Sequence, residues 1–371
     1  MMLLFAAVHL SVTSAMGADE FRSVTGPCNL LFPSDHGSHP CYRTEWWYYT
    51  GNLRTASGKR YGFQLTFFRT RIAPPGSEKQ WPQKPSKWRA GDLFFAHAAL
   101  SDLDGKRFFM DEKMARGALG LAGVRQEDEQ TKIFIGRWSS EILGDRHLLK
   151  ADTDQFTLDL RCLDRKGPVA HGLGGCSRKG RKAESSSCYY SVTRLEVGGT
   201  LKVRGENAAV EGTAWMDHEF SSAPLEEDVT GWDWFSIQLG DNTELMIYVL
   251  RLASGEYSSA SSGTFVTSSG EKNHLRSDDF TIEVLERWKS PKSGATYPGK
   301  FHIRVPSLKL DLLLTPNLAD QELVTAGTTL VTYWEGSVSV EGKSGPSPVT
   351  GVGYVELTGY AKPFRLPAND E

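Results

Sequence analysis

Long apolar runs are what this chain most clearly lacks. Beyond its N-terminus no stretch reaches the roughly 18 apolar residues that a membrane-spanning helix needs, so no integral membrane span is expected. Sustained helical periodicity is scarce as well, which argues against a helical bundle or an α/β fold. Charge of one sign is missing: 42 Lys and Arg are mixed along the chain with 45 Asp and Glu, for a net charge of −3. With no basic face or charged tail, nucleic acid is not an expected partner. The five cysteines form no CxxC pair and have no Cys/His spacing of the zinc type, so no metal centre is expected. No GxSxG elbow is present, which removes the ordinary serine esterase. His171-Gly172-Leu173-Gly174-Gly175 is not followed by a helical pattern, so it is not a nucleotide fingerprint, and no cofactor is expected.

What the chain does have is length and aromatics. Its 371 residues exceed what one core usually serves, and 11% aromatic content with 10 Trp can fill two. Met1 to Ala18 carries no acidic or basic side chain, and an apolar run from Leu3 to Val12 leads to Ala15-Met16-Gly17-Ala18. This is the pattern of a signal peptide cleaved after Gly17 or Ala18, so a secreted or periplasmic protein is expected. Export permits disulfides. Cys28–Cys41 would close a short loop, and Cys162, Cys176 and Cys188 can supply one more bridge and a free thiol.

Period-2 segments separated by turn residues dominate, so the fold class is all-β. Between Leu53 and Tyr61 a three-residue loop, Ala56-Ser57-Gly58, sets Glu45 opposite Arg69, a pairing that explains Glu45 structurally. Farther on, a two-residue loop at Asp241-Asn242 would set Asp233 opposite Leu250. Tyr248 would then share Asp233's face, and Arg251 would lie beside Trp232. An odd loop would flip that parity and bring Arg251 to Asp233 as a plain ion pair. Both hairpins run from an aromatic-rich strand to an apolar strand ending in Arg, which indicates an internal duplication with one β-barrel per half. The boundary is expected near Gly198 to Gly212, giving domains of 28–205 and 206–365. Lys166 to Ser187, with its cluster Arg178-Lys179-Gly180-Arg181-Lys182, reads as a long solvated loop.

Asp233 carries the sharpest chemical expectation. In Gly231-Trp232-Asp233-Trp234-Phe235 it shares a face with Phe235, Ile237 and Leu239, where a carboxylate must be paired or hold its proton. A raised carboxyl pKa suits a general acid. A second cluster, Trp215-Met216-Asp217-His218-Glu219, puts Asp217 and Glu219 on one strand face and His218 on the other. If the chain turned near Ser221-Ser222-Ala223-Pro224, all three would meet in one mouth, with His218 active near neutral pH; otherwise they form a hydrogen-bonded corner. His97, in an apolar strand, reads first as a satisfied core histidine, and metal binding by His97, His218 and a carboxylate is discounted. Glu335 in Tyr333-Trp334-Glu335-Gly336 and Glu356 in Tyr354-Val355-Glu356 repeat the pattern of a carboxylate among aromatics. Such residues lining a barrel lumen would suit a small apolar or amphipathic ligand.

Read in order, these segments resemble a known group. Pro33-Ser34-Asp35-His36-Gly37, Glu45-Trp46-Trp47-Tyr48-Tyr49-Thr50-Gly51, Ala96-His97-Ala98-Ala99-Leu100, Trp215-Met216-Asp217-His218-Glu219, Gly231-Trp232-Asp233-Trp234-Phe235, Tyr333-Trp334-Glu335-Gly336 and Gly353-Tyr354-Val355-Glu356-Leu357 resemble the carotenoid 1,2-hydratase (hydroxyneurosporene synthase) superfamily, in its secreted, lipocalin-like "predicted secreted hydrolase" branch. The resemblance implies two consecutive lipocalin-like, calycin-type antiparallel barrels. It also implies cofactor-free hydration of an isoprenoid double bond, in which an acid protonates the alkene, aromatic faces hold the cation and water captures it. Asp233 or Asp217 would be the acid, Trp232 and Trp234 the cation-facing wall, and His218 or Tyr248 the water-positioning group. Trp46, His97, Glu219, Glu335, Tyr354 and Glu356 would contact substrate. The alternatives are a lipid or terpenoid carrier, a cyclase or isomerase, and a hydrolase.

Overall fold

A computed structural model of the protein describes residues 20–364. The expected signal peptide therefore lies outside the described residues. Among them no α-helix occurs, and no helix is long and apolar enough to cross a membrane.

The chain forms two curled antiparallel sheets, the lipocalin-like double barrel expected from the sequence. The first takes β1 (Thr44–Thr55), β2 (Arg60–Arg71), β3 (Asp92–Asp102), β4 (Arg107–Arg116), β5 (Ala122–Glu127), β6 (Gln130–Ile135), β7 (Trp138–Leu143), β8 (Arg146–Asp152), β9 (Phe156–Asp164), β10 (Val169–Ala170), β11 (Cys176–Arg178), β12 (Ser186–Val203) and β13 (Glu206–Ser221). The second takes β14 (Val229–Leu239), β15 (Glu244–Leu252), β16 (Ser262–Val266), β17 (Lys272–Arg276), β18 (Thr281–Lys289), β19 (Thr296–Val305), β20 (Leu310–Pro316), β21 (Glu322–Val324), β22 (Thr332–Ser344) and β23 (Ser347–Thr358). The strand orders match: β4-β3-β2-β1-β13-β12-β9-β8-β7 in one sheet answers β17-β16-β15-β14-β23-β22-β20-β19-β18 in the other.

β13 pairs with both β1 and β12. The junction between sheets therefore falls between Ser221 and Val229, beyond the boundary expected near Gly198 to Gly212. Glycines there serve the ladder and its turn. A side chain on Gly212 would strike the Asn52 carbonyl across the β1–β13 ladder, and Gly205 takes the positive φ of the β12–β13 turn.

Alternation along the strands decides what each face does. Trp47, Tyr49, Phe63, Leu65, Phe67 and Trp138 fill the first barrel, and Phe235, Ile237, Ile247, Val249, Phe301 and Trp334 fill the second. Each such side chain contributes about 1.5–3 kcal/mol by leaving water, so both lumens are packed cores. The opposite faces of β1, β13, β14 and β23 meet between the sheets. Tyr48, Tyr189, Trp215, Trp234, Tyr248 and Tyr354 form a third buried cluster there. Gln238 ties the halves together, its Nε2 donating to the carbonyls of Thr193 at 2.8 Å and Ala214 at 2.9 Å.

The single disulfide among the described residues joins Cys28 to Cys188 and leaves Cys41, Cys162 and Cys176 free. The expected Cys28–Cys41 bridge is not formed, because β12 brings a more distant partner to the N-terminal segment.

Candidate functional site between the sheets

The tyrosines, tryptophans and carboxyls expected in a barrel lumen sit instead between the two sheets. Asp217 is at the centre, buried, on the face of β13 that looks toward β14. Its Oδ2 accepts from Tyr189 Oη at 2.8 Å and its Oδ1 from Trp215 Nε1 at 2.6 Å, with a further short bond from Ser191. Burial pushes this carboxyl up to about 7, against the pull of those three donors. Trp234, from the second sheet, donates Nε1 to Tyr189 Oη at 3.0 Å. Behind Ser191 stands His171, with Nε2 2.6 Å from Ser191 Oγ and Nδ1 2.9 Å from Thr264 Oγ1. Burial drives His171 well below its ordinary pKa, so it is neutral.

Glu219, two residues along the same face, accepts from Ser187 and pairs with Lys179 Nζ at 3.1 Å. The Lys179 ammonium lies 3.8 Å above the Tyr248 ring, within cation–π range. Tyr248 in turn donates to the Arg178 carbonyl at 2.6 Å. On the far side, Tyr48 bonds Glu335, whose Oε2 has no hydrogen-bond partner among the described residues. Glu335 faces Glu356 directly across β22–β23. Burial, reinforced by Glu356, holds the Glu335 carboxyl well above its ordinary range. Burial likewise lifts Glu356 to about 7, although Trp232 Nε1 donates to it at 3.1 Å.

Asp217, Glu219, Glu335 and Glu356 thus share one layer with the Lys179 ammonium. Burial and the neighbouring carboxylates raise Asp217, Glu335 and Glu356, so these three hold protons toward neutral pH. The space now open between the sheets is small. The cavity lined by Trp215, Tyr354 and Gln238 measures about 10 Å³, room for about one water.

Asp233 is not part of this layer. The turn at Gly240-Asp241-Asn242 is a three-residue loop with Asn242 at φ +67°, so Asp233 faces Val249 and Trp234 faces Tyr248. The parity expected from a two-residue loop is therefore corrected. Asp233 points into the second barrel, ion-paired to Arg251 and accepting from Tyr360 Oη at 3.1 Å. Burial raises its carboxyl to about 6 while Arg251 pulls it down. At neutral pH it is a carboxylate locked on a guanidinium, not a free proton donor.

His218 also parts from its neighbours, because β13 runs straight through to Ser221 and no turn gathers the three residues. It points into the first barrel, with Nε2 2.9 Å from Glu45 Oε1 and Nδ1 3.0 Å from Tyr190 Oη. His97 is a satisfied histidine, 2.8 Å from Tyr333 Oη and 2.9 Å from Thr328 Oγ1. Of the other expected residues, Trp46, Trp232, Trp234, Tyr248, Tyr354, Glu219, Glu335 and Glu356 all border the inter-sheet layer. Tyr48, Lys179, Tyr189, Ser191 and His171 escaped the sequence reading. The strand parity of Tyr189 and Ser191 was available, but their closeness to Asp217 depends on the β12–β13 pairing. In the segment holding Lys179, Arg178, Arg181 and Lys182 are exposed as a solvated loop requires, whereas Lys179 turns inward to Glu219.

The family model described as AttH-like matches residues 23–360. The chain belongs to the AttH-like family. That places it in the carotenoid hydratase/AttH superfamily its motifs resemble. A Nitrosomonas europaea protein carrying the AttH name is 33% identical, with a TM-score of 0.81 over 92% of this chain and 100% of that one. Kievitone hydratase from Nectria haematococca shares the fold of this AttH-like chain at 16% identity, with a TM-score of 0.66 over 93% of this chain and 98% of that one. No curated protein sequence matches it.

Proposed function

We propose that this protein is a cofactor-free acid/base enzyme that hydrates a C=C bond of an apolar, isoprenoid- or lipid-like ligand in the layer between its barrels. The observation that carries this reading is the crowding of Asp217, Glu219, Glu335 and Glu356 among Trp215, Trp234, Tyr48 and Tyr189 with Lys179 as their ammonium. A hydratase among the proteins of the same fold supports it.

In this reading Asp217 gives its proton to the alkene, directly or through Tyr189, whose hydroxyl can reverse its hydrogen bond. The indole faces of Trp215 and Trp234 stabilise the tertiary cation. Water adds to the cation, and its released proton returns to the Asp217 carboxylate, so alkene plus water gives a tertiary alcohol and the enzyme is regenerated. Entry requires the cover formed by residues 176–187 to move off Tyr248, because the present cavity does not hold a ligand.

The test incubates the full chain with a panel of prenylated phenols and linear isoprenoid alkenes in ¹⁸O-labelled water, followed by mass spectrometry. The expected product carries one labelled oxygen and disappears in Asp217→Asn, while ligand quenching of tryptophan fluorescence persists. Quenching without label in the wild type would replace the enzyme with a carrier. Label retained in Asp217→Asn would remove Asp217 as the acid. The same reading takes the chain to be exported, which N-terminal sequencing of the mature protein checks: an intact Met1 refutes it.

A further inference from the structure

On the other side of β13, inside the mouth of the first barrel, three side chains aim donor atoms at one point. We infer that His39, Glu45 and His218 form a binding site for a divalent transition-metal ion of the zinc or iron(II) class.

His39 Nδ1 and His218 Nε2 stand 2.7 and 2.9 Å from the same atom, Glu45 Oε1. All three atoms lie within 4.8 Å of one another, close enough for an ion to reach each at the 2.0–2.2 Å typical of zinc with small side-chain shifts. Two imidazoles and one carboxylate suit zinc, cobalt or iron(II). Calcium and magnesium prefer all-oxygen shells.

The surroundings are those of oriented ligands. The second nitrogen of each histidine is engaged, His39 Nε2 with Asp35 Oδ1 at 2.9 Å and His218 Nδ1 with Tyr190 Oη at 3.0 Å. Such partners fix the ring and the tautomer of a metal-bound histidine. His39 stacks on Phe220 with centroids 3.6 Å apart, and His218 on Trp47 at 4.7 Å. The other oxygen of Glu45, Oε2, is held by Arg69 Nε at 2.8 Å, and the His39 backbone N–H donates to both oxygens, so the carboxylate is fixed with Oε1 turned to the two rings. An ion would take the place of the protons that now link both imidazoles to Oε1.

Two further observations favour a ligand over a structural ion pair. Asp233, the acid that enters the second barrel, is paired with Arg251 and with no histidine among the described residues, so a buried acid in this fold does not require imidazoles. A cleft of about 330 Å³ also opens beside the cluster. Ser38 and Pro40, on either side of His39, form part of its wall with Arg69.

The experiment uses the full chain, stripped with a chelator and titrated with Zn(II) by calorimetry and with Co(II) by visible absorption. One equivalent of each should bind, with the ligand-field bands of a four- or five-coordinate nitrogen–oxygen site, and Zn(II) should raise the melting temperature. His218→Gln and His39→Ala should abolish binding, and Asp35→Asn should weaken it about 10–100-fold. Because His218 is fully buried, His39→Ala, in the less buried N-terminal segment, carries the test if His218→Gln fails to fold. Absence of saturable binding by the wild type, or binding that survives His39→Ala with unchanged stoichiometry, overturns the assignment. Neither outcome involves turnover, so it is independent of the fate of Asp217.

Discussion

In each barrel a strand carries an acid inward and the next strand supplies its arginine: Arg69 lies directly opposite Glu45, whereas Arg251 lies two residues beyond the Val249 that faces Asp233. Their company differs. Glu45 is ringed by Arg69, His218 and His39, which outweigh burial and hold its carboxyl below the ordinary range. Asp233 has Arg251 and Tyr360, and burial prevails to raise it to about 6. An acid–arginine pair thus stands inside each barrel, and among the described residues only the first has imidazoles as further partners. The second barrel contributes elsewhere, lending Trp234, Tyr248, Glu335 and Glu356 to the layer it shares with the first.

The largest expected effect separates that shared layer from the ion pairs. Asp217→Asn should lower turnover about 10²–10⁴-fold, the usual worth of a positioned acid, whereas Asp233→Asn should leave turnover within a few-fold and lower stability instead. Assays of both variants on one substrate decide this, and equal losses would erase the distinction. Next comes Arg251→Ala, which strands a buried carboxylate and should cost about 3–5 kcal/mol in a urea melt; a cost under about 1 kcal/mol would mean the second pair does not close its barrel.

The barrels also differ in cross-linking. Cys28–Cys188 ties the N-terminal segment to β12, and no cysteine lies beyond residue 188. Cys28→Ser should cost about 2–4 kcal/mol, with protection lost in the first barrel before the second in hydrogen exchange. Uniform loss across both barrels would show that they unfold as one unit.

The smallest effect concerns pH. The folded Glu356 carboxyl stands at about 7, above its ordinary 4.5. Between those values the folded state binds more protons than the unfolded chain, so stability falls as pH rises through that window. The side chain is partly exposed, and screening limits its share to roughly 1 kcal/mol. Glu356→Gln should flatten that part of the stability–pH curve, and an unchanged slope would assign it to other groups.

The duplicated sheets were legible because period-2 patterning and the repeated Arg-ended hairpins survive in the sequence. The Glu45–Arg69 register was legible because Gly58, at φ +88°, announces the left-handed position of a three-residue loop. The second hairpin uses the same loop with Asn242 in that position. Asparagine tolerates the left-handed region but does not announce it, and misjudging that turn by one residue put Arg251 on the wrong face. The inter-sheet layer was legible residue by residue and not as a place, because which sheet faces which is set by long-range packing. Lys179 and His171 were hidden in a segment whose other basic residues, Arg178, Arg181 and Lys182, are the exposed ones its Gly and Lys content announces.

One consequence of β13 reaches beyond either proposal. Its odd-numbered residues from Trp215 to Glu219 look toward the neighbouring sheet, and its even-numbered ones, Met216 and His218, look into their own barrel. A mutational scan along this strand should therefore give two interleaved phenotypes, and pooling consecutive positions would blur both. Any perturbation that shifts the strand as a whole, even by a fraction of an ångström, would be registered in both compartments at once.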